Sequence, residues 1–220
     1  MKNDDKQISE LKTMEDIVIF AADDICKGAY NFSRFISMVF FKVSNLEALK
    51  EGYNAYVISR VSQTIEDFQH AHERIDDIKK REFYRDLKYN KQNLAYLYST
   101  FDKARTSSFL IHSKILAWLS TYLVENKELN YYQAALLANI DTLSELDFKY
   151  FYELLKENDT DNISEKDPVK ITVIKKFIQI GILSFNDSIH IGGNGQTVHF
   201  EKNEFSKELL EVLDLIYGQK

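Results

Sequence analysis

The sequence predicts a mainly α protein: a helical bundle over residues 1–156, a polar linker over 157–167 and a helix–β-hairpin–helix module over 168–220. Three observations lead there. One proline and seven glycines among 220 residues leave few places to break a helix. Apolar residues recur every three or four positions along most of the chain. Near the C-terminus that period shortens to two, around a cluster of glycines.

The elements follow in order. Leu11, Met14, Val18, Ala21 and Ile25 recur at helical spacing between Ile8 and Lys27, and Gly28 ends that helix. Phe32, Phe35, Ile36, Val39, Phe40 and Val43 form a clean amphipathic stripe. Such a stripe could lie on a membrane or seat a partner helix, but packing into the core is its ordinary use. "SNLE", with Ser44 and Glu47, has a capping-box pattern and opens a long helix from Asn45 to about Lys80. That helix carries Leu49, Tyr53, Val57, Val61, Phe68 and Ile75 on one side. Another runs from near Arg81 to about Ala104 through Leu87, Leu94, Tyr98 and Phe101. In "SSFLIHSKILAWLSTYLVEN", Ile111, Ile115, Trp118, Leu119 and Tyr122 face inward, with His112 at the flank.

Two further capping-box patterns stand at Asn130/Gln133 and at Thr142/Glu145, the second opening a helix to about Lys156. "KENDTDNISEKD" is polar and charged, with Ile163 its one large apolar residue, and reads as the linker. Asp167–Pro168 then gives an N-cap followed by proline at the first helical position. The helix carries Ile171, Ile174, Phe177 and Ile178 and stops at Gly181. Phe205, Leu209, Val212, Leu213 and Ile216 make a last amphipathic helix.

"SIHIGGNGQTVHF" is the glycine cluster. It lacks the lysine and hydroxyl that follow a phosphate-binding loop, and no helix starts after it. Folding it about a tip at Gly192 to Gly195 sets His190 opposite Thr197, Ile191 opposite Gln196 and Ile189 opposite Val198. Ile189, Ile191, Val198 and Phe200 then share one face, while Ser188, His190, Thr197 and His199 share the other. His190 and His199 become diagonal neighbours, but two imidazoles are fewer ligands than a zinc site uses. The stretch predicts a half-buried hairpin.

Composition narrows the function classes. Hydrophobic residues at 45% and charged residues at 28% are the balance of a globular chain. A formal net charge of −6 argues against a general nucleic-acid binder. Cys26 is the one cysteine, so no internal disulfide forms and a reducing compartment is expected. The N-terminus is polar and acidic, and the most apolar stretch is interrupted by Arg34 and Lys42. These features predict a soluble, cytoplasmic protein with no transmembrane segment, no cofactor and no evident small-molecule substrate.

Two constellations carry chemistry. Glu66, His70 and Glu73 follow at i, i+4 and i+7, and carboxylate–imidazole clusters of that kind bind transition metals. They lie opposite the Val61, Phe68 and Ile75 stripe, so a solvated face is expected rather than a metal site, while His72 falls on the apolar side. "KKREFYRDLKYNK" is the strong basic run. Its cations are Lys79, Lys80, Arg81, Arg85, Lys88 and Lys91, with Phe83, Tyr84 and Tyr89 interleaved. Arg81, Arg85 and Lys88 form a stripe that could contact phosphates while the aromatics stack on bases. The alternative is helix salt-bridging, with Asp76–Lys80 and Asp77–Arg81 at i, i+4. For nucleophilic catalysis the chain offers no G-x-S-x-G elbow, and Cys26 has no histidine close in sequence.

"FIQIGILSF", the hairpin and the terminal helix together resemble the end of a winged-helix domain. In that family the comparable wing carries lysine or arginine at its tip, whereas here neither occurs between Lys176 and Lys202. Lys170, Lys175 and Lys176 precede it but fan around the helix rather than forming one edge. The middle of the chain, from "STFDKARTSSFLIHSKILAWL" to "SELDFKYFYELL", is similar to uncharacterised bacterial and prophage-encoded helical proteins. That resemblance implies no activity, only a phage- or defence-related interaction role. The expected function is therefore a non-catalytic interaction or regulatory factor, acting through a protein partner or self-association. The alternative is a DNA-binding transcriptional regulator using 79–91 and the helix at 168–180.

Overall fold

The computed structural model describes residues 54–158, 160–185, 190–192 and 195–218. The elements expected at Ile8–Lys27, the Phe32–Val43 stripe, the Ser44/Glu47 box and Cys26 lie outside them. The chain is mainly helical, with a small antiparallel sheet near the C-terminus. It divides into two compact units, meeting between Leu129 and Asn130.

The first unit contains α1 (Asn54–Glu73), α2 (Asp77–Leu87), α3 (Lys91–Thr106) and α4 (Leu110–Asn126). Lys114 is the one charged residue between Leu110 and Val124, so α4 is apolar almost all round, which suits a helix surrounded by others. It packs against α1, α2 and α3. Ile115, Leu116, Leu119, Leu123 and Val124 are all fully buried, and each burial contributes about 2 kcal/mol before entropy is charged against it. Trp118 and Tyr122, expected inward, are half-buried. Phe68 of α1 and Phe101 of α3 meet with ring centroids 5.0 Å apart.

The sequence periodicity predicts longer helices than form. The helix expected to run to Lys80 is interrupted at 74–76, because the Asp76 carboxylate accepts from the backbone N–H groups of Ile78 (2.8 Å) and Lys79 (3.2 Å). A second break at 88–90 divides the helix expected from Arg81 to Ala104, and Asn90 caps the new start through Asn93 N–H at 3.0 Å. Apolar spacing continues across both breaks, so it cannot report them. The polar caps Asp76 and Asn90 decide.

The second unit contains α5 (Tyr131–Asn139), a 3-10 turn (Ile140–Thr142), α6 (Glu145–Glu157), β1 (Asn162–Glu165) and α7 (Pro168–Gln179). Then come β2 (Leu183–Phe185), β3 (His190–Gly192), β4 (Gly195–Lys202) and α8 (Glu204–Tyr217). Asn130 and Gln133 make the expected capping box. The second box forms at Ser144 and Asp147 rather than at Thr142 and Glu145. Thr142 instead donates its hydroxyl to Asn139 O at 2.7 Å, closing the 3-10 turn that delays the helix.

Asp167 caps α7 with Pro168 at its first position, and Gly181 ends it at φ +78°. Gly181 N–H donates to Ile178 O and Ile182 N–H to Phe177 O, both at 2.9 Å, the two bonds of a Schellman motif. Ile182 and Phe177, the residues that motif brings together, are fully buried.

The segment expected as a linker contains a strand. Ile163 is 3% exposed and pairs opposite Phe200, so the one apolar residue of that polar stretch anchors β1 to the sheet. The unit therefore begins at Asn130 and takes in α5 and α6, which sequence assigned to the bundle. Phe148 and Phe151 of α6 pack on Phe177 of α7, with Phe151 stacked at 4.2 Å. β4 is the central strand, with β1 on one edge and β2 on the other, and β3 also pairs with β4. His190 pairs with Thr197 and Ile191 with Gln196, the expected register; Ile189 lies outside the described residues. Val198 and Phe200 are buried and Thr197 and His199 half-buried, as alternation requires.

Candidate interaction surface

α2 presents two faces. Phe83, Tyr84 and Leu87 are buried against the first unit's core. Around the helix at 100° per residue, Ile78, Arg81, Glu82 and Arg85 fall on the opposite side. Ile78 is 60% exposed, and these four side chains line a shallow hollow of about 270 Å³. Just beyond the helix Tyr89 is 80% exposed, with Lys88 Nζ 5.2 Å from its ring centroid.

Lys79, Arg81, Arg85, Lys88 and Lys91 are exposed and Lys80 is half-buried. The interleaved aromatics do not accompany them. Phe83 and Tyr84 are 2% and 1% exposed, so they pack rather than stack on bases, and Tyr89 alone of the three stands in solvent. The expected i, i+4 pairs are also replaced. Asp76 is occupied as a cap, Lys80 meets Asp77 at i, i+3 (3.2 Å), and Arg81 Nε donates to the Asp77 carbonyl at 3.2 Å. Arg85 meets Asp86 at 3.3 Å. Glu82 is joined to Lys127 at 2.9 Å, and that ammonium holds its carboxyl below the ordinary range.

Glu66, His70 and Glu73 are all exposed on α1. His70 Nδ1 lies 3.8 Å from Glu73 and its Nε2 lies 3.1 Å from an Arg74 guanidinium nitrogen. Among the described residues, no group of three or more His, Cys, Asp or Glu stands placed to hold a metal ion.

The basic residues of α7 have different fates. Lys175 is exposed. Lys170 lies 3.6 Å from Glu157, and Lys176 lies 2.7 Å from Asp147, so both are drawn into ion pairs of the second unit.

Buried polar groups hold the fold locally. His72 is 1% exposed and its Nδ1 bonds to Phe68 O at 3.0 Å, with burial lowering its pKa to about 3. His112, expected at the flank, is also 1% exposed. Ser107 Oγ lies 2.7 Å from its Nδ1 and accepts from Phe109 N–H at 3.1 Å, tying down the start of α4. Ser113 donates to the Asp67 carboxylate, bridging α4 and α1.

Sequence reasoning passed over Ile78 and the aromatic pair Tyr131 and Tyr132. The tyrosine rings meet edge to face at 5.5 Å, and Tyr132 stacks on Phe205 at 6.0 Å. Ile78 was findable, being the apolar residue on the charged side of a helix whose other side is Phe83, Tyr84 and Leu87. No helix among the described residues is long and apolar enough to cross a membrane. Protein-family models, curated proteins and solved structures contain no match to this chain.

Proposed function

We propose that this protein is a non-catalytic interaction or regulatory factor of the cytoplasm. The observation that carries the reading is the exposure of large apolar and aromatic side chains on both units: Ile78 60%, Tyr89 80%, Tyr131 78% and Leu146 62%. Tyrosine brings large contact area at low entropic cost and is enriched where proteins meet. In support, His72, His112, Asp67 and Asp147 are engaged in caps, seams and ion pairs, which leaves them structural work rather than proton transfer. A phage- or defence-related role rests on the sequence resemblance alone.

The second reading, a DNA-binding regulator, draws on the exposed Arg81, Arg85 and Lys88. It also draws on a winged-helix-like second unit, supported by the order α7, β2, β3, β4, α8. A single helix joins β1 to β2, however, and Lys170 and Lys176 are paired within their own unit.

Affinity purification of the tagged full chain from cells, with and without nuclease, tests the choice. The interaction reading expects a stoichiometric protein complex, with another protein or a second copy, that survives nuclease. Complexes that disappear with nuclease, together with salt-sensitive heparin retention, would establish the DNA reading instead.

A further inference from the structure

We propose that the exposed face of α2 docks an acidic amphipathic segment of a partner protein, with an apolar side chain on Ile78 and carboxylates on Arg81 and Arg85. This deepens the interaction reading and rests on it. The face joins an apolar residue to two guanidinium groups around one hollow. Arginine presents a planar fork of donors that matches a carboxylate in bidentate fashion. An apolar contact beside such pairs excludes water from them and strengthens them. At about 270 Å³ the hollow is below the range usual for small-molecule sites and suits an inserted side chain.

Charge complementarity selects the occupant. The face is basic on a chain whose formal net charge is −6, so it differs in sign from the protein as a whole and attracts what the rest repels. A peptide fits it better than a polynucleotide for two reasons. Glu82 lines the hollow as an ionised carboxylate beside Lys127. An amphipathic peptide can set an uncharged side chain against it, whereas a run of phosphates brings a negative charge at every unit. Moreover, Phe83 and Tyr84, the rings that would stack on bases, are in the core.

The test uses fluorescence anisotropy with the full chain and three labelled probes. These are a glutamate–leucine peptide with leucines at i, i+3, i+4 and i+7, a scrambled peptide of equal composition, and a short DNA duplex. The patterned peptide is expected to bind most tightly. Arg81→Glu combined with Arg85→Glu is expected to weaken it by about tenfold or more, and Ile78→Ser by severalfold, with cooperative thermal unfolding retained because all three positions are exposed. Equal binding of patterned and scrambled peptides, no binding of either, or tighter binding of the duplex overturns the proposal. The nuclease-resistant complex separates this failure from that of the broader reading. If the complex persists with Arg81 and Arg85 reversed, the partner docks elsewhere and the interaction reading stands. If no such complex exists, the interaction reading falls too.

Discussion

The ammonium of Lys176 lies 2.7 Å from the Asp147 carboxylate, which is buried in the second unit and also accepts from Ser144 N–H at 2.7 Å and Ser144 Oγ at 2.8 Å. Burial pushes the Asp147 carboxyl up, but Lys176 and the Ser144 hydrogen bonds outweigh it and hold the group below its ordinary value. A lowered carboxyl contributes stability above pH 3.8, and that stability disappears as pH falls through the folded value. Asp147→Asn is expected to cost about 2 kcal/mol at pH 7 by weakening charge-assisted bonds, read as a shift in the urea midpoint. Lys176→Met should cost less, because Ser144 still satisfies the carboxylate. A Lys176→Met loss as large as that of Asp147→Asn would contradict this ordering.

His72 gives a second pH-dependent contribution of separate origin. Its Nδ1 faces the Phe68 carbonyl, an acceptor only, so the neutral ring carries its proton on Nδ1. With the folded pKa at about 3 and an ordinary value of 6.5, the unfolded chain binds the proton first. Stability is therefore full above pH 6.5 and declines as pH falls, by up to about 1.4 kcal/mol per pH unit for one proton. His72→Leu should flatten this decline between pH 6.5 and 4.5. Parallel urea curves for the two proteins across that interval would show that His72 is not its source.

What was legible in the sequence is what local chemistry decides. Asn130/Gln133, Asp167–Pro168 and Gly181 act within a few residues of themselves, and each forms the cap its residue types prescribe. The pairing of His190 with Thr197 follows from a period of two folded about glycine. The breaks before Asp77 and Lys91 were hidden, because Ile75, Leu87 and Leu94 keep helical spacing across them. β1 was hidden for the opposite reason: in a polar stretch only Ile163 marks it, and its partner Phe200 is far along the chain. At the candidate surface the cations were visible, whereas the burial of Phe83 and Tyr84 depends on α4, which residues 79–91 do not encode.

Asp67 carries the opposite sign to Asp147. Burial raises its carboxyl, with hydrogen bonds from Ser113 and Gln63 offsetting only part of that effect. A raised folded value means the native state holds its proton longer, so stability falls as pH rises from 3.8 and the penalty is complete at neutrality. Asp67→Asn removes the charge while its amide oxygen can still accept from Ser113. Its thermal midpoint should exceed the parent's at pH 7, with the gap closing below pH 3.8. A lower midpoint at pH 7 would mean that the carboxylate charge itself holds the α1–α4 seam.

Two helix ends use left-handed backbone, one with glycine and one without. Gly181 sits at φ +78°, and a Cβ there would meet Tyr132 at an ordinary 3.5 Å, so Gly181→Ala is opposed by conformation alone. It should cost about 1–2 kcal/mol. Lys127 adopts φ +61° after α4 with a side chain that bears this penalty. Asn93 Nδ2 donates to its carbonyl at 2.7 Å, and its ammonium reaches Glu82 at 2.9 Å, so tertiary contacts fix the conformation. Lys127→Ala loses the ion pair and keeps the backbone penalty, while Lys127→Gly loses the pair and removes it. The glycine variant should therefore be the more stable of the two by about 1 kcal/mol in urea denaturation. Equal stabilities would mean that Asn93 no longer holds residue 127 in the left-handed region once its side chain is gone.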